Sequence, residues 1–324
     1  LEGIYDSYRR TKSDELNQTI SDSLNFIKRK LYDGQMIKAF YDLKTKSAPS
    51  IFDPRTGALL EVLIDIGDDF PIAKEIAFNN LDNIIKTSED RCSYLIPNFI
   101  HYKSQIKNKI SLLNPLKIPK RYLYPYVLGW RSTFGNKLVQ IPFGQQIKLA
   151  KQNSNLIHAY ISAFEKTKKD RYKNFIESWF KEFTKYMFES GKCYSYLDNK
   201  FRKNFVKLSH NHPIIEICID MYRITNEQYY LKFILKIIEF WQSNRLSNGL
   251  FPAYDGATYA FIDDQVDILV SFVKLSKILS SNKYINIAEK LYEDIINNHM
   301  TEDGLATFSG SINNSKIKQN INPK

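Results

Sequence analysis

The chain is poor in the residues that staple or metallate a fold. Of its 324 residues only three are cysteine, Cys92, Cys193 and Cys218. That odd, sparse count argues against a disulfide framework and shows no zinc spacing. Five histidines and no HExxH pattern give little support to a metal centre. No apolar run is long enough to span a bilayer, and no signal peptide is evident. The first residue is Leu1 rather than Met, which fits a cleaved or trimmed product, so the missing leader carries no information. There is also no long basic run. The formal charge of +11 favours anionic partners, but the cations are spread along a chain rich in Ile, Lys and Asn, which argues against nucleic acid.

What is present is a helical unit that recurs. Residues 43% hydrophobic and 14% aromatic supply a packed core and exclude global disorder. Asn155–Asp198 and His212–Asp255 share one plan: an apolar helix, a short polar break, a second helix, then a Gly- or Tyr-rich loop. Asp264–Gly310 repeats it, and Gly57–Leu95 does so more weakly. In the second helix of the Asn155 unit, Tyr172, Phe175, Ile176, Trp179, Phe180 and Phe183 recur at steps that place them on one face. Asn226 and Ser281 stand where N-caps would be, and Asp69 precedes Pro71 in the same way. Glu15–Tyr32 reads as a helix, so the chain opens on the second half of a hairpin.

First helices with little polar face, ringed by second helices with a Lys/Glu face, predict an all-α fold, an α/α toroid of about five to six hairpins. An open solenoid is the competing arrangement. The expected organisation is one domain over 1–310. Residues 88–145 form an irregular cover over one mouth, with a small extended or β insertion near 115–145, and 311–324 form a flexible tail.

Loops leading into the inner helices gather at that mouth. The richest carries Tyr254, Asp255, Asp263, Asp264 and Asp267. Carboxylates this close can work as a general acid/base pair if one is desolvated, although Asp263 or Asp264 capping the helix is the more ordinary role. Asp267 inside an apolar helix is harder to explain by structure alone. Asp263, Asp264 and Asp267 also match the DDxxD pattern of magnesium-dependent prenyl-diphosphate enzymes. His210 is a candidate base at a helix entrance, and His158 reads as a core histidine. Trp130, Arg131, Tyr194 and Tyr196 suit sugar stacking and a carboxylate clamp, and Asp53 with Arg55 forms a comparable loop. Ordinary packing competes for each aromatic.

The segment Ser154-Asn155-Leu156-Ile157-His158-Ala159-Tyr160, with Lys166-Thr167 and Tyr172, resembles the C-terminal region of glucuronyl C5-epimerases. The hairpins from Gly144 to Phe308 resemble α/α-toroid carbohydrate-active enzymes more broadly. The resemblance implies a sugar substrate, an acidic polysaccharide by preference, and acid/base chemistry without a cofactor or metal. Tyr254 with Asp255 or Asp264 would be the acid/base groups, and Arg131 would hold the carboxylate. Two alternatives stand beside it: a non-catalytic helical scaffold that binds a partner along Lys117–Tyr126, and the prenyl-diphosphate enzyme.

Overall fold

The computed structural model describes residues 1–39, 41, 43, 46, 51–96, 100–101, 148–197, 203–204, 206–301, 304–305 and 308–310. Among these residues ten α-helices pair into hairpins: α1 (Glu2–Thr11) with α2 (Asp14–Phe26), α3 (Gly57–Asp65) with α4 (Pro71–Arg91), α5 (Ala150–Thr167) with α6 (Asp170–Tyr186), α7 (His212–Thr225) with α8 (Gln228–Ser243), and α9 (Ile262–Leu279) with α10 (Asn282–His299). Helix α3 packs on α5, α5 on α7, and α7 on α9. These first helices form an inner layer, and the second helices wrap them. The architecture is the α/α toroid that the repeat predicts. Of the expected cover over 88–145, residues 88–91 are the last turn of α4, while 102–145, with the strand near 115–145, and the tail 311–324 lie outside the described residues.

One turn chemistry makes the hairpins alike. Thr11, Thr167 and Thr225 end their helices by donating Oγ1–H to the carbonyls of Ser7, Ala163 and Met221. The next residues, Lys12, Lys168 and Asn226, adopt the left-handed conformation at φ 53°, 56° and 58°. The N–H groups of Ser13, Lys169 and Glu227 then donate back to the threonine oxygens at 3.3–3.4 Å. This closes the turn and turns the chain antiparallel. Two sequence expectations change as a result. Asn226 terminates α7 rather than capping α8, whose N-cap is Glu227. The chain opens on a complete hairpin, because α1 carries the same Thr-turn and precedes α2. Asp69 likewise does not cap α4; its carboxylate accepts from Tyr5 Oη at 2.7 Å, and Phe70 is the N-cap.

The layers join through aromatic and aliphatic side chains in one core that runs from Tyr5 to Ile295. Tyr160 of α5 stacks on Phe175 of α6 at 4.1 Å, and Trp241 of α8 meets Phe272 of α9 edge-on at 6.0 Å. Close approach matters most at Gly57, where a Cβ would sit 2.4 Å from the backbone of Asn155 and Leu156, so α3 lies directly on α5. Short antiparallel pairs join the strand before a first helix to the strand after the second helix of the same hairpin: β1 (Ile51–Phe52) with β2 (Ile100–His101), β3 (Lys148–Leu149) with β4 (Tyr196–Leu197), and β5 (Tyr259–Phe261) with β6 (Phe308–Gly310). They all lie at the end of the toroid where the first helices begin. No helix among the described residues is long and apolar enough to cross a membrane.

Buried amides hold these connections down. Asn153 of α5 accepts from Ile96 N–H and donates to Ile96 C=O, both at 2.8 Å. Gln265 of α9 does the same to Phe251, again at 2.8 Å in each direction. In the amide orientation that satisfies both neighbours, Asn211 donates to Cys193 C=O at 3.3 Å and accepts from Trp241 Nε1 at 3.2 Å. Trp179 Nε1 meets Asn153 Oδ1 similarly at 3.4 Å. Replacing Gln265 with Leu strands the buried N–H and C=O of Phe251, and the expected loss is about 3 kcal/mol of unfolding free energy. Urea denaturation measures it; a change under about 0.5 kcal/mol would show that the clamp does not hold the loop.

Candidate active site

Each inner helix carries a polar stripe at helical spacing. On α5 it is Lys151, Asn155, His158, Ser162 and Glu165; on α7, His212, Glu216, Asp220 and Arg223; on α9, Asp263, Asp267, Ser271 and Lys274. Helix α3 adds Glu61 and Asp65. These steps of three, four and seven residues put each set on one face, and the charges sense one another across the helices. They line the lumen of the toroid. The narrow end is tied by Arg223, which bridges Glu165 at 2.8 Å and Asp220 at 3.2 Å. Lys166 also donates there to Ile64 C=O at 2.7 Å and pairs with Asp68 at 2.9 Å.

His212 is the most connected group. Its Nδ1 lies 2.6 Å from Ser271 Oγ and its Nε2 lies 3.3 Å from Glu216 Oε2, while Lys274 Nζ contacts the other Glu216 oxygen. Burial lowers the His212 pKa, although Glu216 and Asp267 oppose the shift. Ser271 is fully buried and its hydroxyl also donates to the Asp267 carbonyl at 3.2 Å, so it ties the imidazole of His212 to α9. With both nitrogens of His212 engaged, the available imidazole is His158. It is half-buried and makes no hydrogen bond among the described residues. Burial lowers its pKa against the pull of Glu216 and Asp220. His158 therefore lines the lumen rather than the core.

Glu61 is the second poised group. Burial first, then the like charges of Asp65, Glu2 and Asp220, push its carboxyl up to about 7 against a hydrogen bond from Ser162. Both His158 and Glu61 sense the charge of Asp220, and their helices, α5 and α3, pack on each other.

The mouth holds several of the residues singled out from sequence. Asp264 is 1% exposed and pairs with Lys207 Nζ at 2.9 Å. Burial raises its pKa, and Lys207 and a Ser209 hydrogen bond oppose the rise. Asp267, half-buried, is also raised by burial, with His212 and Lys151 opposing. Phe261 is the N-cap of α9, so neither Asp263 nor Asp264 caps it, although both sit in its first turn. His210 is buried in the 3₁₀ turn before α7, and burial, with Lys207 and Lys151 adding, pushes it down to about 3. It stays neutral.

Most of the other expected residues have partners of their own. Asp255 pairs with Lys192 at 2.7 Å, and Tyr254 meets Tyr259 edge-on at 5.7 Å. Asp53 is buried and accepts from Arg55 N–H at 2.9 Å and Arg55 Nε at 2.8 Å, so the two hold each other at the turn before α3. Tyr196 is buried in β4, and Tyr194 Oη donates to Glu189 at 3.2 Å. Trp130 and Arg131 lie outside the described residues. With Asp264 turned to Lys207, the three aspartates do not form a joint carboxylate site. Among the described residues no group of three or more His, Cys, Asp or Glu is placed to hold a metal.

Sequence reasoning noticed His212 beside His210 at a helix entrance but passed over Glu61, Ser162, Glu216, Asp220 and Lys274. The signal was there: polar residues at steps of three and four inside otherwise apolar helices. Attention to the apolar positions alone hides it.

No family model and no curated protein matches the sequence. Solved structures do. A sugar epimerase from a ruminal bacterium superposes with a TM-score of 0.64 at 13% identity, covering 94% of this chain and 76% of that one. A D-mannose isomerase gives 0.64 at 11% identity, with 98% and 78% covered. The cellobiose 2-epimerase of Spirochaeta thermophila gives 0.62 at 13%, with 95% and 75% covered. At such identities the likeness establishes a shared fold.

Removing Lys207 leaves the Asp264 charge buried and alone, so Lys207→Met should destabilise the chain by about 3 kcal/mol. Removing both charges, as Lys207→Met with Asp264→Leu, should recover most of that loss. Thermal unfolding of the two variants checks it; additive losses would contradict the pairing.

Proposed function

We propose that this chain is a carbohydrate-active enzyme that epimerises or isomerises an uncharged sugar in the lumen by proton transfer. Two observations support this reading: the unbonded His158 imidazole and the raised carboxyl of Glu61, carried by the packed inner helices α5 and α3 and both sensing Asp220. Groups whose environments push their proton affinities toward the working pH are what acid/base catalysis requires. In the proposed step, His158 takes a proton from the carbon next to an open-chain carbonyl. Glu61, protonated, gives its proton to the carbonyl oxygen, and an enediol results. Return of a proton to the other face gives the epimer, and return to the neighbouring carbon gives the isomer. His212, held by Ser271 and Glu216, orients the Glu216 carboxylate toward sugar hydroxyls. Shared fold with sugar epimerases and a mannose isomerase supports the substrate class by analogy.

The finer expectation from sequence was a uronate-bearing glycan handled as by a C5-epimerase. Carboxylates outnumber cations along the described lumen, from Asp263 and Asp267 at the mouth to Glu61, Asp65 and Asp220 below. A second negative charge on the substrate would be repelled there, so an uncharged sugar is the better fit. A purely structural scaffold would have no use for buried groups with shifted proton affinities.

The test is NMR of mannose, glucose and cellobiose incubated in deuterated water. Deuterium should enter at C2, and His158→Gln or Glu61→Gln should slow entry by about a hundredfold or more. No exchange on any neutral sugar would sink the reading. The pH dependence follows from the shifts. The reaction needs His158 neutral and Glu61 protonated. The rate should rise with pH as His158 loses its proton, below its ordinary 6.5, and fall as Glu61 loses its own near 7. A rate still climbing above pH 8 would rule out Glu61 as the acid.

A further inference from the structure

The outer wall carries a feature that the lumen chemistry does not use. Between α6 and α8 runs an open groove of about 590 Å³, a volume in the range of small-ligand sites. Its floor is aromatic. Phe180 meets Phe233 edge-on at 5.0 Å and lies 5.7 Å from Tyr229, and Phe233 packs on Phe188 at 4.2 Å. Phe180 and Phe233 are buried, but Tyr229 is 41% exposed and leaves ring surface open to the groove. Lys181, Lys232 and Lys236 line it and are exposed, and none makes an ion pair among the described residues. Of the two acids present, Glu177 is already paired with Lys173 at 3.4 Å, which leaves Glu227.

We propose that this groove is a surface site for an anionic oligosaccharide, its pyranose ring lying on Tyr229 and its carboxylates or sulfates meeting Lys181, Lys232 and Lys236. Free ammonium groups around an aromatic platform match a ligand that is flat and apolar on one face and anionic at its rim. An extended acidic peptide fits less well. Both walls are helices whose backbone groups are satisfied internally, so the groove offers no edge for main-chain pairing. The site divides the labour of the molecule: an acid-rich lumen for an uncharged sugar, and a lysine-lined outer wall that holds an acidic glycan. It stands whether or not the lumen performs the proposed reaction.

The experiment is titration calorimetry of the intact chain with hexagalacturonate, with cellohexaose and hexaglutamate as controls, at two salt concentrations. Hexagalacturonate should bind, more weakly at higher salt, and cellohexaose should not. Tyr229→Ala should weaken binding roughly three- to tenfold, and Lys232→Ala with Lys236→Ala should weaken it further. Both variants change exposed groups, and unchanged thermal melts will show that they fold. Absence of binding, equal binding of cellohexaose or hexaglutamate, or binding indifferent to these variants would each overturn the proposal.

Discussion

The architecture depends on how a loop is sealed onto the end of a helical ring. Where the connections from outer to inner helices are described, at Ile96, Cys193 and Phe251, backbone groups are buried against the start of an inner helix. A buried N–H or C=O without a partner costs more than an ordinary hydrogen bond gains. Asn153, Asn211 and Gln265 resolve this with one device: a side-chain amide at the start of an inner helix that meets the backbone of the preceding loop. Two of the three also receive the indole N–H of a tryptophan from the outer helix, so loop, inner helix and outer helix meet at a single buried amide.

The same device fixes the site. Asn211 immediately precedes His212, and Gln265 stands two residues before Asp267. Lys207 reaches back from the same turn to Asp264 on α9. The side chains that line the lumen are therefore set by a rigid rim rather than by mobile loops. Below the rim the helices bring like charges together. Asp65, Asp220 and Glu61 come from different inner helices or different turns; burial, with the like charges of Asp65 and Asp220 adding, holds a proton on Glu61. The structure accepts this unfavourable grouping in the lumen while its core is apolar and aromatic. Such local conflict, amid consistency elsewhere, is the pattern of a functional cavity.

How much of this could be read in the sequence depends on the range of each interaction. The hairpins were legible because their apolar spacing is local, and the toroid followed from the contrast between first and second helices. The opening hairpin was missed because α1 is short and largely polar, although Thr11 carries the same turn as Thr167 and Thr225. In the sequence Asp267 stood out as an acid in an apolar helix, and Asp264 as a helix cap or an acid/base carboxylate. Their roles were not legible, because Lys207 and His212 lie on a different element and only the fold brings them near. Asp53 with Arg55, two residues apart, was open to a turn reading, and the structure gives it that role. Tyr254 and Asp255 drew attention by their loop, yet Asp255 is satisfied by Lys192, a partner no local pattern announces. His158 looked like core because its neighbours are apolar; only the packing of α5 against α3 and α7 shows that its face opens on the lumen.

The central claim is that burial, with neighbouring acids adding, keeps the Glu61 carboxyl protonated near neutrality. Carbon-13 NMR of glutamate-labelled protein, with the Glu61 signal identified by its loss in Glu61→Gln, follows that carboxyl directly through a pH titration. The account predicts a midpoint at about 7. A midpoint near the ordinary 4.5 would mean that the lumen is open to water and its acids do not sense one another, which would contradict the account at its base.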